Sequence, residues 1–314
     1  MIDLHMHTKY SDGTDDCVEL LKRVQKNNLD MISITDHNTT EAYIELEKID
    51  IKRYYSGTII PGIELNTKVL NVPIELLGYG IDYKKMNELT KTVYLPSEER
   101  NKLELERLYE KCIKAGLLLD GNIVDKYNPN SGFASKFIHL EIIKHDENKK
   151  LIDEETWNDT KNFYRKYMSN PEGPLYVEMD DLVPDFETAA NLIREAGGLV
   201  FIPHIFEYRE NSRKILEYIL KNYKFDGIEC YYTTFSDEQT NELLRLCIER
   251  NLYVSGGSDY HGTNKPGIEV GIGKGNLKIE NEVIQKWKNI FRTNLYMWTL
   301  FNFKECPSCA KTHI

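Results

Sequence analysis

The strongest constraint on the fold is a regular alternation of short apolar segments with amphipathic segments. Seven apolar segments rich in Ile, Val, Leu and Tyr are predicted to be strands: residues 2–7, 30–35, 58–64, 73–78, 199–204, 225–231 and 252–258. Apolar residues recur at helical spacing in residues 15–27, 40–49, 185–196, 212–222 and 236–251. Because strands that alternate with helices form parallel sheets, the sequence predicts an α/β fold built on a parallel sheet.

One long segment interrupts this alternation and is predicted to be a helical insertion. Charged helical patterns cover residues 97–115 and 153–168, and a turn-rich loop lies at residues 127–132. The predicted organisation is therefore an α/β domain, an insertion and a C-terminal tail, formed by residues 1–95 with 184–292, residues 96–183, and residues 293–314, respectively.

The composition narrows the range of functions. Of the 314 residues, 41% are hydrophobic and 29% charged, and no segment approaches the roughly 20 apolar residues of a membrane span. The formal net charge of −10 argues against an extended duplex nucleic acid as partner, because such binding needs a basic surface. A small anionic substrate would need local positive charge, which bound divalent cations supply.

Six cysteines at scattered spacings, with no secretory signal before the first apolar segment, predict a cytoplasmic protein with reduced thiols. Cys306 and Cys309, with His313 nearby, form half of a zinc-binding pattern. The sequence contains no second pair to complete four ligands, so an incidental role is predicted for the tail.

The first predicted strand carries two histidines on one face. The period of two places His5 and His7 on the same side as Asp3, while the apolar residues between them point the other way. This spacing lets both imidazoles reach one divalent ion. The turn Ser11-Asp12-Gly13 follows closely and can bring a carboxylate to the same pocket.

Five further residues lie at or just beyond the predicted carboxyl ends of strands: His37, Glu64, His204, Asp259 and His261. In β/α barrels these ends and the loops after them form the active face, so residues distant in sequence converge there. Each residue alone has an ordinary structural explanation, such as a buried histidine bonded to the backbone or a glutamate paired with a lysine. Their shared position favours a metal site.

Six short motifs combine these residues in a fixed order: His5-Met6-His7, Ser11-Asp12-Gly13, Thr35-Asp36-His37-Asn38, Gly62-Ile63-Glu64, Pro203-His204 and Gly257-Ser258-Asp259-Tyr260-His261-Gly262. Their order and spacing resemble those of the PHP (polymerase and histidinol phosphatase) superfamily, and within it the phosphoesterases similar to nucleoside 3′,5′-bisphosphate phosphatase. The resemblance covers residues 1–82 and 182–273 well and the insertion poorly. It implies a distorted (β/α)7 barrel with a helical insertion, in agreement with the seven predicted strands.

The resemblance also implies a site for two or three divalent ions. By motif, one ion would be held by His5, His7, Glu64 and Asp259, a second by Asp12, His37 and His261, and a third by Glu64 and His204. Mixed nitrogen and oxygen ligands suit manganese, iron or zinc. Relatives usually carry a histidine where Glu75 stands, so Glu75 is a candidate ligand that would alter the metal preference or occupancy of the third site. A solvent-facing glutamate is the alternative.

The activity implied by the resemblance is hydrolysis of a small phosphomonoester, such as a nucleotide or a nucleoside bisphosphate. A metal-bridging hydroxide, held by the ligands of the first two ions, would attack phosphorus. The insertion has no clear copy of the family's phosphate-binding Arg-Pro-His, so Lys136 and Arg209 are the candidates for binding a phosphate, with an exposed surface position as the alternative for Lys136.

Three alternative functions remain open at this point. The first is a phosphatase for histidinol phosphate or another small metabolite, and the second is an enzyme that acts on nucleic acid ends. The third is a non-catalytic metal-binding regulatory module, which would hold metal without hydrolysing a phosphoester. The sequence predicts no particular oligomeric state.

Overall fold

The computed structural model describes residues 1–128, 133–169, 172–288 and 290. Eight strands lie in these residues: β1 (Ile2–Asp3), β2 (Met31–Ile32), β3 (Thr58–Ile59), β4 (Gly62–Val69), β5 (Val72–Tyr79), β6 (Leu199–Ile202), β7 (Gly227–Tyr232) and β8 (Tyr253–Gly257). The same residues contain the α-helices α1 (Cys17–Lys26), α2 (Glu41–Leu46), α3 (Tyr83–Val93), α4 (Ser97–Lys114), α5 (Ile123–Lys126), α6 (Ala134–Ile142), α7 (Glu154–Trp157), α8 (Thr160–Phe163), α9 (Phe186–Glu195), α10 (Ser212–Asn222) and α11 (Asp237–Arg250). Shorter 3-10 segments occur at Ile51–Arg53, Asp146–Lys150, Asp180–Leu182, Ile205–Asn211, Gly262–Asn264 and Asn281–Ile284, and a π-helical turn at Tyr164–Met168.

The strands form a mixed sheet arrangement, which confirms the α/β class but not a wholly parallel sheet. Strands β1, β2 and β3 pair in parallel, as do β6, β7 and β8. Strand β5 is antiparallel to both β4 and β6, so the prediction of parallel pairing is wrong here. The reason is a two-residue hairpin turn: Leu70 and Asn71 both have positive φ, 53° and 60°, which joins β4 directly to β5.

The described strands make two sheets rather than one closed sheet, in the orders β1-β2-β3 and β4-β5-β6-β7-β8. Backbone hydrogen bonds connect their outer members, because the Leu4 N–H donates to Gly256 O at 3.1 Å and the Asp259 N–H donates to His5 O at 2.8 Å. The first strand and the last are therefore neighbours, while closure of a (β/α)7 barrel stays a prediction.

Helix α1 shows how local sequence positions the loop before it. The Asp16 carboxylate accepts from the Glu19 N–H at 2.8 Å, and the Glu19 carboxylate accepts from the Asp16 N–H at 3.1 Å, which is a capping box that starts the helix. Its apolar side consists of Cys17, Leu20, Leu21 and Val24 and is buried in one core with Ile32 of β2. The cap thus holds the end of the loop that contains Asp12.

The chain divides into two compact units, one containing Met1–Val93 and the described residues from Val183 onward, the other Tyr94–Leu182. The second unit is helical and has its own core, which includes Leu105, Ile138 and Phe163. The single helical pattern at residues 153–168 is divided into α7, α8 and the π-helical turn, because Asp159 caps a new helix by accepting from the Asn162 N–H at 3.0 Å.

None of the helices in the described part of the chain has the length and apolar character of a membrane span. The tail at residues 293–314, with Cys306, Cys309 and His313, lies outside the described residues.

The close approach of β8 to the first strand generates a stability prediction. A Cβ added at Gly257 would lie 2.4 Å from His5 Cβ and 2.5 Å from His5 N, so a backbone shift would be required. We expect Gly257→Ala to lower the free energy of unfolding by about 1–3 kcal/mol. Denaturant unfolding followed by circular dichroism measures this change. Gly121→Ala is the control, because a Cβ there meets nothing within 4 Å, and equal stability of the two variants would contradict the prediction.

Candidate metal centre

The first strand and its extension place two histidines side by side. His5 and His7 are fully buried, and their ring centroids lie 5.3 Å apart. Asp3, on the same predicted face, plays a different part, because its carboxylate accepts from the Ser258 N–H at 2.9 Å and from the Gly271 N–H at 2.7 Å. Asp3 therefore holds the chain after β8 beside the strand that carries the histidines.

The other candidate ligands come from loops and from one strand. His37 follows β2, His204 follows β6, and Asp259 and His261 follow β8. The predicted position of Glu64 at the carboxyl end of a strand is wrong, because Glu64 is the third residue of β4. The chain begins the hairpin at this point, and a parallel bridge between His37 and Glu64 brings the two segments together.

Glu64 lies at the centre of the first group of candidate ligands. Its Oε2 atom is 3.2 Å from His5 Nε2 and 3.2 Å from His7 Nε2. Asp259 Oδ1 lies 3.5 Å from His5 Nε2 and 3.3 Å from His7 Nε2. These four side chains are the set that the motifs imply for one ion, and the structure brings them together.

Two further groups adjoin the first. Asp12 Oδ1 lies 3.1 Å from His261 Nε2 and 3.5 Å from His7 Nδ1, and Asp12 Oδ2 lies 3.8 Å from His37 Nε2. The other group contains Glu64, Glu75 and His204. His204 Nε2 is 2.9 Å from Glu64 Oε1 and 3.8 Å from Glu75 Oε2. In each of these two groups one ligand atom per residue lies within 4.8 Å of the others, as is also true of His5, His7 and Glu64 in the first group.

The chemistry of these groups fits divalent cations. Three buried ring nitrogens of these groups lack a hydrogen-bond partner among the described residues: His7 Nε2, His37 Nδ1 and His204 Nδ1. Burial alone would lower the pKa of His7, but the neighbouring carboxylates of Asp259 and Glu64, 3.3 Å and 3.2 Å from Nε2, raise this pKa to about 10. A proton on the His7 imidazole would thus balance the charge of the buried carboxylates, and a divalent cation with mixed nitrogen and oxygen ligands can take the place of that proton.

Glu229 is a residue of this centre that the sequence reasoning missed. It is fully buried in β7, and its Oε1 lies 3.0 Å from His5 Nδ1, while its Oε2 accepts from the His204 N–H at 2.9 Å. Because Glu229 contacts His5 Nδ1, the other ring nitrogen, His5 Nε2, points toward Glu64. Histidines that bind metals commonly have such a carboxylate on the second ring nitrogen. The sequence feature that could have identified Glu229 is the presence of an acidic residue inside the predicted apolar strand at residues 225–231.

Tyr232 and Lys265 also contact the centre and were not predicted. The Tyr232 hydroxyl donates to Asp259 Oδ2 at 2.6 Å, and Lys265 Nζ lies 2.5 Å from the same oxygen. Burial would lower the pKa of Lys265, but the negative charge of Asp259 raises it, so the ammonium form is favoured. Nothing in their own sequence pattern marks these two residues as part of the site.

The three remaining candidates, Glu75, Arg209 and Lys136, differ from one another in their surroundings. The Tyr208 hydroxyl donates to Glu75 Oε2 at 3.0 Å and accepts from the Glu75 N–H at 2.9 Å, which orients this carboxylate. Arg209 is exposed and has a positive φ of 52° in the segment after His204. Lys136 is exposed on α6 of the second unit. Roles in phosphate binding for Arg209 and Lys136 stay predictions.

Comparisons with known proteins agree with this geometry. Residues 3–297 match the family model of the PHP domain, so the chain belongs to the PHP family and the resemblance seen in the motifs is confirmed. Candidate ligand groups and family membership together support the use of divalent metal ions.

Several relatives are similar over most of their length. The chain is 25% identical over 276 residues to the 3′,5′-nucleoside bisphosphate phosphatase of Chromobacterium violaceum, covering 86% of this chain and 90% of that protein. It is 25% identical over 299 residues to a 5′-3′ exoribonuclease of Haemophilus influenzae, covering 91% and 97%. The fold is similar to that of a proposed metal-dependent phosphoesterase from Bifidobacterium adolescentis, with a TM-score of 0.66, 18% identity and coverage of 91% and 94%.

The contact between Glu229 and His5 generates a prediction about metal affinity. Glu229→Gln keeps the shape of the side chain but removes the charge that orients the imidazole. We expect the affinity for Mn²⁺ to fall by about 10- to 100-fold, measured by isothermal titration calorimetry. Glu280→Gln is the control, because Glu280 is exposed and pairs with Lys278. Equal affinity in wild type and Glu229→Gln would show that this carboxylate does not support the centre.

Proposed function

We propose that this protein is a metal-dependent phosphoesterase that hydrolyses a small phosphomonoester, with nucleotides and nucleoside bisphosphates as the favoured substrates. The proposal depends above all on one observation, which is the convergence of three overlapping groups of histidine and carboxylate side chains on the buried Glu64 and its neighbours. Membership of the PHP family and the similarity to a bisphosphate phosphatase support it.

In this proposal the ligands of the ions are those that the motifs imply, with Glu75 added to the third group. One ion is held by His5, His7, Glu64 and Asp259, a second by Asp12, His37 and His261, and a third by Glu64, Glu75 and His204. When bound, divalent ions such as manganese, iron or zinc neutralise phosphoryl oxygens and lower the pKa of a water toward about 7.

The chain's own residues orient and enclose this site. Glu229 holds the His5 ring, and the Asp36 carboxylate accepts from the Thr8 N–H at 2.8 Å and from Ser11 Oγ at 2.6 Å, which holds the loop that carries Asp12. The described cysteines, Cys17, Cys112, Cys230 and Cys247, are buried. Because the sequence also lacks a Gly-x-Ser-x-Gly nucleophile motif, water is the proposed nucleophile.

Further parts of the proposal concern the fold, the substrate contacts and the location. The hydrogen bonds between the first strand and β8 support a distorted (β/α)7 barrel with a helical insertion at residues 96–183. Arg209 and Lys136 are proposed to bind substrate phosphate groups. We also propose a cytoplasmic location, in keeping with the free cysteines and the small phosphorylated substrate.

A second candidate function is the removal of nucleotides from the 5′ end of RNA. The similarity to a 5′-3′ exoribonuclease, which extends over 91% of this chain, favours this possibility over histidinol phosphate and other metabolites. The net charge of −10 favours a small substrate or a single RNA end over an extended duplex.

The substrate class is tested with the purified protein and Mn²⁺. Adenosine 3′,5′-bisphosphate, histidinol phosphate and a short 5′-phosphorylated RNA are incubated separately, and the release of phosphate and of mononucleotides is followed by chromatography. We expect phosphate release from the bisphosphate at the highest kcat/KM. Release of mononucleotides from RNA at a higher kcat/KM would favour the second candidate. Tight Mn²⁺ binding without any turnover would identify a non-catalytic metal-binding module.

Replacing Asp259 by Asn tests the proposed metal centre while preserving the backbone conformation. The φ of Asp259, 57°, is in the left-handed region, which Asn tolerates, so Asp259→Asn removes the charge with little strain. We expect kcat/KM to fall by more than about 100-fold, since a proposed ligand is lost rather than a residue that supports one. The exposed Asp50→Asn is the matched control. Turnover of Asp259→Asn at the wild-type rate would exclude Asp259 from the centre.

A further inference from the structure

We propose that Lys265 and Tyr232 are positioning residues that hold one oxygen of Asp259, so that this carboxylate presents only its other oxygen to the metal centre. The proposal rests on the proposed function for its effect on turnover, and on the geometry alone for its effect on metal coordination. It assigns a purpose to two residues that are not themselves candidate ligands.

The two oxygens of Asp259 have separate surroundings. Oδ1 faces three ring nitrogens, at 3.5 Å from His5 Nε2, 3.3 Å from His7 Nε2 and 3.3 Å from His261 Nδ1. Oδ2 accepts from the Tyr232 hydroxyl at 2.6 Å and from Lys265 Nζ at 2.5 Å. The residue is 3% exposed overall, so water does not compete freely for either oxygen.

The two donors come from different elements. Tyr232 is the last residue of β7 and is buried. Lys265 follows the 3-10 turn Gly262–Asn264 and is 39% exposed. That turn is tied to the loop of the second ligand group, because Asn264 Nδ2 donates to Asp12 O at 2.7 Å. The orientation of Asp259 is thus linked to both the sheet and the loop that carries Asp12.

This arrangement has two physical consequences. A carboxylate can bind a metal ion through one oxygen or through both. Binding through both oxygens of Asp259 would be costly, because the hydrogen bonds that Oδ2 accepts would be lost. The ammonium of Lys265 also repels a cation that approaches Oδ2. When an ion is bound, both effects would favour coordination by Asp259 through Oδ1 alone.

A competing explanation is that Lys265 binds the substrate directly. Its partial exposure would permit contact with a phosphoryl oxygen. In that case, replacing Lys265 would weaken the binding of the substrate and of the transition state equally. KM would then rise while kcat would stay unchanged. Loss of a positioning residue changes the metal ligand itself and lowers kcat.

The experiment compares Lys265→Met, Tyr232→Phe, the double variant and Lys265→Arg with wild type. The control is Lys274→Met, because Lys274 is an exposed residue of the same loop region. Calorimetric titration with Mn²⁺ and steady-state kinetics are measured on each protein, after its unfolding midpoint has been compared with that of wild type. We expect Mn²⁺ to bind the double variant at least as tightly as wild type, with kcat about 10-fold lower or more, and Lys265→Arg to recover part of kcat.

A crystal structure of the Mn²⁺-loaded double variant gives a readout that does not require activity. We expect Asp259 to bind Mn²⁺ through both oxygens in the variant and through one in wild type. Binding through one oxygen in both proteins, weaker Mn²⁺ binding in the double variant, or a rise in KM alone would overturn the proposal. If wild type shows no turnover, the proposed function fails, while the comparison of the two structures still decides this inference.

Discussion

The centre depends on a buried carboxylate that keeps its negative charge. Glu64 is 1% exposed, and moving a carboxylate out of water costs several kcal/mol unless it is compensated. Its Oε2 faces His5 and His7, and its Oε1 faces His204. Burial would raise the pKa of Glu64, but the charges of His5 and His37 hold this pKa well below its usual range. The arrangement that stabilises this buried charge is also the one that a divalent cation requires.

Around this centre, two other buried acidic residues hold neighbouring loops in position. Asp3 accepts hydrogen bonds from Ser258 and so holds the chain after β8, and Asp36 accepts from Thr8 and holds the loop before α1. Both carboxylates are buried, and they accept from backbone N–H groups and hydroxyls rather than from imidazole rings. The positions of the candidate ligands are therefore set by hydrogen bonds between loops as well as by the strands.

The difference between the expected and the observed sheet has a specific physical cause. The sequence predicts two parallel strands at residues 58–64 and 73–78, yet β4 runs on to Val69 and returns as β5. The turn residues Leu70 and Asn71 lack the glycine that usually indicates a hairpin, although both adopt positive φ. A turn without its usual residues is hard to recognise from sequence, and the predicted position of Glu64 within its strand is wrong for the same reason.

The family and the group of candidate ligands follow from short motifs in a fixed order, and the α/β class follows from the alternation of apolar and amphipathic segments. The folded chain alone shows which oxygen faces which ring nitrogen and which residues contact the candidate ligands from behind. Glu229 and Tyr232 illustrate this limit, since both belong to β7 and contact side chains of other segments, His5 after the first strand and Asp259 after β8. Such contacts depend on distances between segments far apart in the chain, and a local pattern of residue types contains no information about those distances.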